Sequence, residues 1–274
     1  FVDAFENHGT HVAGLAAGSG YGVAGRPFRG VASEADIIAV NILYFNDTLN
    51  PSPMSDYVVS NAAIIDAMAY IFDKAATESK PAVINLSWGM HTGPHDGTSL
   101  FDQAVEQLVG PGRIFVGACG NEGLNKMHIL SNPGSDTSFS IAISRVPRQF
   151  VTYESNHIDI WGSANSEFEA AFCIIDSLGN IINCTDFYST QTDAHIKGTH
   201  YFHNDSLEYE FFIENSFSGN NKPNILAIGI NHKPNDYFTV LALKGNSDIH
   251  AWNSGQHDSW SGGSFYNKLF NGIN

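Results

Sequence analysis

The chain has 274 residues, 43% of them hydrophobic and 12% aromatic, which is enough to build the core of one large domain or two medium ones. It carries 28 acidic against 13 basic side chains, and its formal net charge of −15 argues against a nucleic-acid partner. No apolar run is long enough to predict a membrane-spanning helix.

The first predicted element is a helix that begins within the sequence NHGTHVAG, residues 7–14. His8 stands at its first turn, and the small residues that follow let the helix pack closely against a sheet. We expect this helix to be buried and to hold His8 rigidly. A lone histidine is more often a hydrogen-bonded core residue than a catalytic one, so the role of His8 depends on the motifs downstream.

A glycine-rich stretch over residues 18–30 predicts a loop. It leads to a mostly apolar run, residues 36–43, which we interpret as a strand of a parallel sheet that is covered on both faces. Ser55 and Asp56 are then expected to cap a long helix. Its apolar residues recur at three- and four-residue steps, as in a helix with one buried face, and it ends by Pro81.

A second strand is predicted over residues 82–86, followed by a helix over 99–109 and a strand over 113–118. Two further motifs stand at the ends of these strands, INLSWG at residues 84–89 and GACGNEG at residues 117–123. Strands that alternate with helices imply right-handed crossovers and a parallel sheet with helices on both faces. In such a sheet the functional site lies at the carboxyl ends of the strands.

The pattern of apolar and polar residues changes near residue 147. Residues 150–251 carry short alternating or aromatic-rich runs, which turn residues separate at intervals of about ten positions, a pattern typical of an all-β sandwich. We therefore predict a partial α/β domain over residues 1–147 and a β-sandwich over 148–251. The tail, residues 252–274, is interpreted as the start of a return into the first domain.

The motifs HGTHVAG, INLSWG and GACGNEG, in this order and at these separations, resemble those of the subtilisin-like serine proteases over about residues 1–145. This resemblance makes His8 the general base of a Ser-His-Asp triad and Asn121 the oxyanion-hole side chain, and it leaves His11 a structural role. Residues at the two strand exits are implied to bind substrate, with a core position as the alternative for the tryptophan: Ser87, Trp88, Gly89 and Gly120.

The chemistry explains these residue types. Imidazole is the side chain whose unperturbed pKa suits proton removal from a serine hydroxyl, and a carboxamide donates a hydrogen bond to the oxyanion. The resemblance thus implies a serine endopeptidase that acts on polypeptide substrates and is secreted or held in the cell envelope. It implies no cofactor, and calcium, common in the family, has no assignable ligands. The placement of the β-sandwich is similar to that of a jelly-roll domain that some subtilases carry before their serine segment.

Two members of the triad have no match in this chain. The family places its aspartate about thirty residues before the histidine, and Asp3 is too close to serve. A Gly-Thr-Ser sequence occurs at residues 97–99, but it lacks the small residues that follow a nucleophile, and we interpret Thr98 or Ser99 as a helix N-cap. We therefore expect the chain itself not to cleave peptide bonds.

A protein of another class remains the alternative. It is an inactive subtilase-like protein whose β-sandwich binds a partner or a glycan, with a platform of exposed aromatic side chains. The retention of both His8 and Asn121 favours the protease, and structural support is the preferred role of the sandwich. The candidate platform residues are Trp161, Tyr188, Tyr201 and Phe202.

Three cysteines do not define a disulfide framework. Cys173 and Cys184 flank a turn; we expect two free buried thiols there, with a cross-strand disulfide as the alternative. Cys119 is expected to be a small core residue. A loop that carries His91, His95 and Asp96 lacks a second ligand cluster, so we expect solvated side chains and no metal site.

Overall fold

The computed structural model describes residues 8–22, 24–25, 28–42, 44–45, 57–58, 60–89, 91–121, 123, 126–144, 154–190, 198–204, 207–214, 221–232, 237–253 and 258–262. Predictions for Asp3, Ser55, Asp56 and the tail beyond residue 262 lie outside these residues. The chain divides into two compact units. The first unit contains residues 1–89 and 101–119, and the second contains residues 90–100 and 120–274.

The first unit combines three helices with two small sheets. Its elements in chain order are α1 (His8–Ala17), β1 (Tyr44–Phe45), β2 (Tyr57–Val58), α2 (Asn61–Thr77), β3 (Ala82–Leu86), α3 (Leu100–Leu108) and β4 (Arg113–Gly117). Strands β1 and β2 are antiparallel, whereas β3 and β4 are parallel. The parallel pair and the helix between its strands are as predicted from the alternation of elements.

Helix α2 packs on β3 through one apolar face. Ile64, Met68 and Phe72, spaced four residues apart, are buried against Ile84, and burial of each large side chain contributes about 1.5–3 kcal/mol. The helix starts later than predicted because the side chain of Ser60 accepts the backbone N–H of Ala63 at 3.1 Å and caps it.

The strand predicted over residues 36–43 is wrong for residues 36–42, which form no regular strand. Ile37 and Val40 are exposed there, with 59% and 37% of their surface accessible. A strand needs a hydrogen-bonded neighbour as well as an apolar sequence, and no described residue forms a ladder with this run. The nearest strand is β1, which begins at Tyr44.

The second unit is built from antiparallel strands. They are β5 (His128–Ser131), β6 (Gly134–Ser144), β7 (Glu154–Gly162), β8 (Phe168–Asp176), β9 (Ile181–Cys184), β10 (Tyr188–Ser189), β11 (Gly198–Asn204), β12 (Leu207–Glu214), β13 (Asn224–His232), β14 (Tyr237–Gly245), β15 (Ile249–Asn253) and β16 (Asp258–Gly262). Among the described residues one six-stranded sheet has the order β10-β8-β14-β6-β16, with β9 beside β8. The other six-stranded sheet has the order β11-β12-β13-β7-β15-β5.

The two sheets share one apolar core, as in a β-sandwich. Inward-facing residues alternate along each strand, for example Ile158 and Ile160 on β7, and Leu241 and Leu243 on β14. The predicted domain boundary at residue 147 stays a prediction. Strands β5 and β6, which precede it, pair with β15, β14 and β16, which follow it.

A disulfide joins Cys173 on β8 to Cys184 on β9. The expectation of two free thiols is therefore wrong, because the register of the two antiparallel strands places these residues directly opposite each other. Of the helices that the structure describes, none has the length and apolar character needed to cross a bilayer.

Candidate active site

His8 is the first residue of α1, as predicted, and its side chain is exposed. The expectation of a buried helix is wrong, because α1 has no buried residue and Leu15 exposes 61% of its surface. Hydrogen bonds join the carboxyl end of α1 to the loop that follows, and this loop anchors that end of the helix.

This anchoring depends on close backbone approach. The N–H of Gly30 donates to the carbonyl of Gly18 at 2.8 Å, and Val31 and Ala32 donate to the carbonyls of Leu15 and Ala16. The bonds to Leu15 and Ala16 satisfy carbonyls of the last turn of α1 that have no partner within a helix. The helix that presents His8 is therefore closed at its far end by a loop whose position requires glycine.

The exit of β3 carries the predicted substrate-binding residues Ser87, Trp88 and Gly89. All three are exposed, and the side chain of Asn85 donates to the hydroxyl of Ser87 at 3.0 Å. Trp88 exposes 36% of its surface, so the alternative of a core tryptophan is wrong.

The exit of β4 lies beside it. Leu86 pairs with Gly117, and the N–H of Ala118 donates to the carbonyl of Leu86 at 3.0 Å. Cys119, the next residue, is exposed, so its expected place in the core is wrong. Parallel pairing thus brings the ends of the INLSWG strand and the GACGNEG strand to one edge.

Gly120 and Asn121 continue from this exit. Gly120 has a φ of +85°, a left-handed conformation that favours glycine, and Asn121 is exposed at a bend. His8 and the β3 exit belong to the first unit, whereas Gly120 and Asn121 belong to the second. The catalytic roles of His8 and Asn121 and the binding roles of the exit residues stay predictions.

The Gly-Thr-Ser sequence at residues 97–99 is part of a turn before α3. Both the backbone N–H and the hydroxyl of Thr98 donate to one carboxylate oxygen of Asp96, at 3.1 and 2.6 Å. Asp96 also pairs with Lys222. Burial raises the pKa of Asp96, but the hydrogen bonds from Lys222 and Thr98 outweigh it and leave that pKa below its ordinary value.

No metal centre is formed by the part of the chain that the structure describes, in which no three His, Cys, Asp or Glu side chains could hold an ion. Sequence reasoning missed a different cluster, which we call the outer-face patch. Along residues 249–253, buried residues alternate with the partly exposed His250 and Trp252, which places these two on one face of β15. Which residues of neighbouring strands lie beside them follows only from the strand register. The patch consists of His128, Asp159, Trp161, Asn224, His250 and Trp252.

The model of the subtilase family matches residues 1–265 of the chain. Subtilisin-like protease 3 of Pseudogymnoascus destructans is 36% identical over 122 residues, which are 44% of this chain and 24% of that protein. Proteinase T of Parengyodontium album is 29% identical over 133 residues, 48% of this chain and 37% of that protein. The matched part therefore spans well under half the length of either relative.

Among solved structures, the CspB protease of Clostridium perfringens superimposes with a TM-score of 0.64. The likeness covers 94% of this chain and 52% of that structure, at 15% sequence identity. At that identity the likeness concerns the fold, which mixes helices with parallel and antiparallel sheets.

Proposed function

Because the chain belongs to the subtilase family, we propose that it is part of a serine endopeptidase that hydrolyses peptide bonds in polypeptide substrates. The observation that carries this proposal is the common edge formed by the exits of β3 and β4, since Leu86 pairs with Gly117 there. INLSWG continues from β3 and GACGNEG from β4 at this edge, where the carboxyl ends of parallel strands present ligand-binding loops.

In the proposed reaction, His8 removes the proton of a serine hydroxyl as that oxygen attacks the scissile carbonyl, and later returns it to the leaving amine. The Asn121 carboxamide donates a hydrogen bond to the oxygen that becomes negative in the tetrahedral intermediate. The serine and the aspartate of the triad are not assigned to residues of this chain. His8 stands exposed at a helix start, and Asn121 is exposed at a bend, so both are accessible to a substrate.

The substrate backbone adds as an extended strand beside Ser87, Trp88 and Gly89. Peptides bind to exposed strand edges through main-chain hydrogen bonds, while their side chains enter pockets. The exposure of Ser87 and Gly89 supports this mode, and exposed Trp88 supplies an apolar surface for a substrate side chain.

Residues 148–251 act as an inserted jelly-roll domain that supports the catalytic part. Two antiparallel sheets around one core support this architecture. Its aromatic residues do not favour a glycan platform, because Trp161 is buried and Tyr188 packs against the core. The side chains of Tyr201 and Phe202 lie outside the described residues.

Secretion or a place in the cell envelope is the proposed localisation. The disulfide between Cys173 and Cys184 supports it, because disulfides form and persist in oxidising compartments.

The test uses the whole protein that carries this chain, reacted with a fluorophosphonate probe that labels an activated serine. We expect labelling in the parent and its loss in His8→Ala. His11→Gln is the matched control, since His11 is exposed on the same helix and has no proposed catalytic role. Equal labelling of parent and His8→Ala contradicts the base assignment, and an unlabelled, peptide-inactive parent favours the inactive binding protein.

A further inference from the structure

The outer-face patch follows from strand register. On β15, Ile249 and Ala251 point into the core and are fully buried, so His250 and Trp252 point to the outer face of their sheet. Trp252 stands opposite His128 on β5 and opposite Asp159 on β7. Four polar or aromatic side chains from three neighbouring strands therefore share one outer face.

Residues 91–99, which we call the strap, cover this face. The N–H of Gly93 donates to Asp159 at 2.6 Å, and the ring of His95 lies 3.8 Å from that of Trp252, centroid to centroid. Asp96 adds the ion pair with Lys222, which precedes β13. Although it points away from the core, Asp159 is only 2% exposed, which shows how closely the patch is covered.

Asp159 fastens the strap by a buried hydrogen-bond network. Besides Gly93, its carboxylate accepts the side-chain amide of Asn224 at 2.6 Å, and that amide also donates to the carbonyl of Ile160 at 3.0 Å. Burial raises the pKa of Asp159, and the hydrogen bonds from Gly93 and Asn224 and the charge of His95 oppose this rise. A carboxyl group buried this far requires such partners.

His128 and His250 form a second group of contacts in the outer-face patch. Nε2 of His128 lies 2.9 Å from Nδ1 of His250, and the rings are stacked with centroids 5.1 Å apart. His128 also stacks on Trp252, at 4.2 Å. A hydrogen bond between two imidazoles needs one bare nitrogen, so the pair accommodates one extra proton but loses its bond when both rings are fully protonated.

We propose that the strap is acid-labile: it is held on the outer-face patch at neutral pH and is released in acid, when the hydrogen bond between His128 and His250 is lost. Release follows because two adjacent imidazolium rings lose their hydrogen bond and repel each other beneath Trp252, whose ring is in contact with that of His95. The proposal concerns the second unit alone and does not depend on the proposed protease activity.

The direction of the effect follows from the charges that face the pair. Burial, His250 and His95, in that order, lower the pKa of His128 below 6.5, so the folded state favours its neutral form. Its contribution to stability is therefore complete above pH 6.5 and declines as the pH falls below that value. The raised pKa of Asp159 has the opposite sign, since its protonated form is favoured, so Asp159 does not drive release in acid.

Hydrogen exchange followed by mass spectrometry tests the proposal on the full 274-residue chain. Protection factors, which correct for the intrinsic effect of pH, are compared at about pH 7.5 and about pH 5. We expect protection of the strap peptide, which includes the N–H of Gly93, to fall by about tenfold or more in acid. Peptides from β8 and β14 should stay protected, and full retention of strap protection at the lower pH overturns the proposal.

The double variant His128→Gln, His250→Gln removes the titration while keeping polar side chains. We expect it to retain strap protection at both pH values, whereas Lys126→Gln, a charge change two residues before His128, behaves like the parent. The proposal is overturned if the double variant loses strap protection in acid to the same extent as the parent.

If the double variant does not fold, NMR of the imidazole nitrogens of the parent protein tests the proposal instead. Strap release must then follow the second protonation of the His128–His250 pair. Release that tracks a different titration, or no release after both rings are protonated, overturns the proposal.

Discussion

Gly30 donates its N–H to the carbonyl of Gly18 at 2.8 Å, and a Cβ atom on Gly30 would lie 2.4 Å from the nitrogen of Gly18. The contact is backbone against backbone, so no side chain can move aside to relieve it. This pair closes the carboxyl end of the helix that begins at His8.

The first prediction concerns this contact. Gly30→Ala should lower the free energy of unfolding by about 1–3 kcal/mol, because the loop must move away from the helix. Gly14→Ala is the matched control: it lies on the same helix with open space around its Cβ position, and should be neutral or stabilising by about 0.5–1 kcal/mol. Urea denaturation measures both, and equal stability of the two variants would contradict the close approach.

The second prediction concerns the disulfide. Cys173→Ala combined with Cys184→Ala should destabilise the chain by about 3 kcal/mol, the value expected for a short closed loop. Cys119→Ala, at the exposed free cysteine, should change stability by less than about 0.5 kcal/mol. Alkylation of the denatured, unreduced protein should modify one cysteine by mass, and three modified cysteines would refute the pairing.

The third prediction concerns the start of α2. Ser60→Ala should cost about 1 kcal/mol, because the N–H of Ala63 loses its side-chain acceptor. Ser60→Asp restores an acceptor at the same place and should recover most of the loss. Thermal unfolding followed by circular dichroism measures the stability of both variants. A Ser60→Ala protein as stable as the parent would show that Ser60 does not stabilise the start of α2.

The sequence predicted those features that depend on local spacing. The four-residue steps of Ile64, Met68 and Phe72 describe a helix with one buried face, and the structure has that helix. The apolar run 36–42 was misread as a strand because composition alone does not provide a neighbouring strand. The start of α2 differs from the predicted one because Ser60, five residues after Ser55, caps the helix.

Features that depend on the register between strands distant in sequence were not predicted. His128 and His250 are 122 residues apart in sequence and meet only because β5 pairs with β15. The disulfide likewise required the pairing of Cys173 with Cys184 across β8 and β9. The roles proposed for His8 and Asn121 rest on motifs, since neither residue belongs to a periodic pattern that would single it out.

The last prediction concerns the proposed oxyanion hole. In the whole protein, Asn121→Ala should lower kcat by about 10²–10³-fold, equivalent to about 2.7–4 kcal/mol, with little change in KM. The reason is that the carboxamide bonds to an oxygen that becomes negative only in the transition state. Asn132→Ala is the control, because that exposed asparagine pairs with Asp248 within the second unit. This variant should leave kcat unchanged.

Steady-state hydrolysis of a chromogenic peptide separates kcat from KM. A rise in KM at constant kcat would make Asn121 a ground-state substrate contact, and a parallel loss in both variants would indicate damage to the second unit.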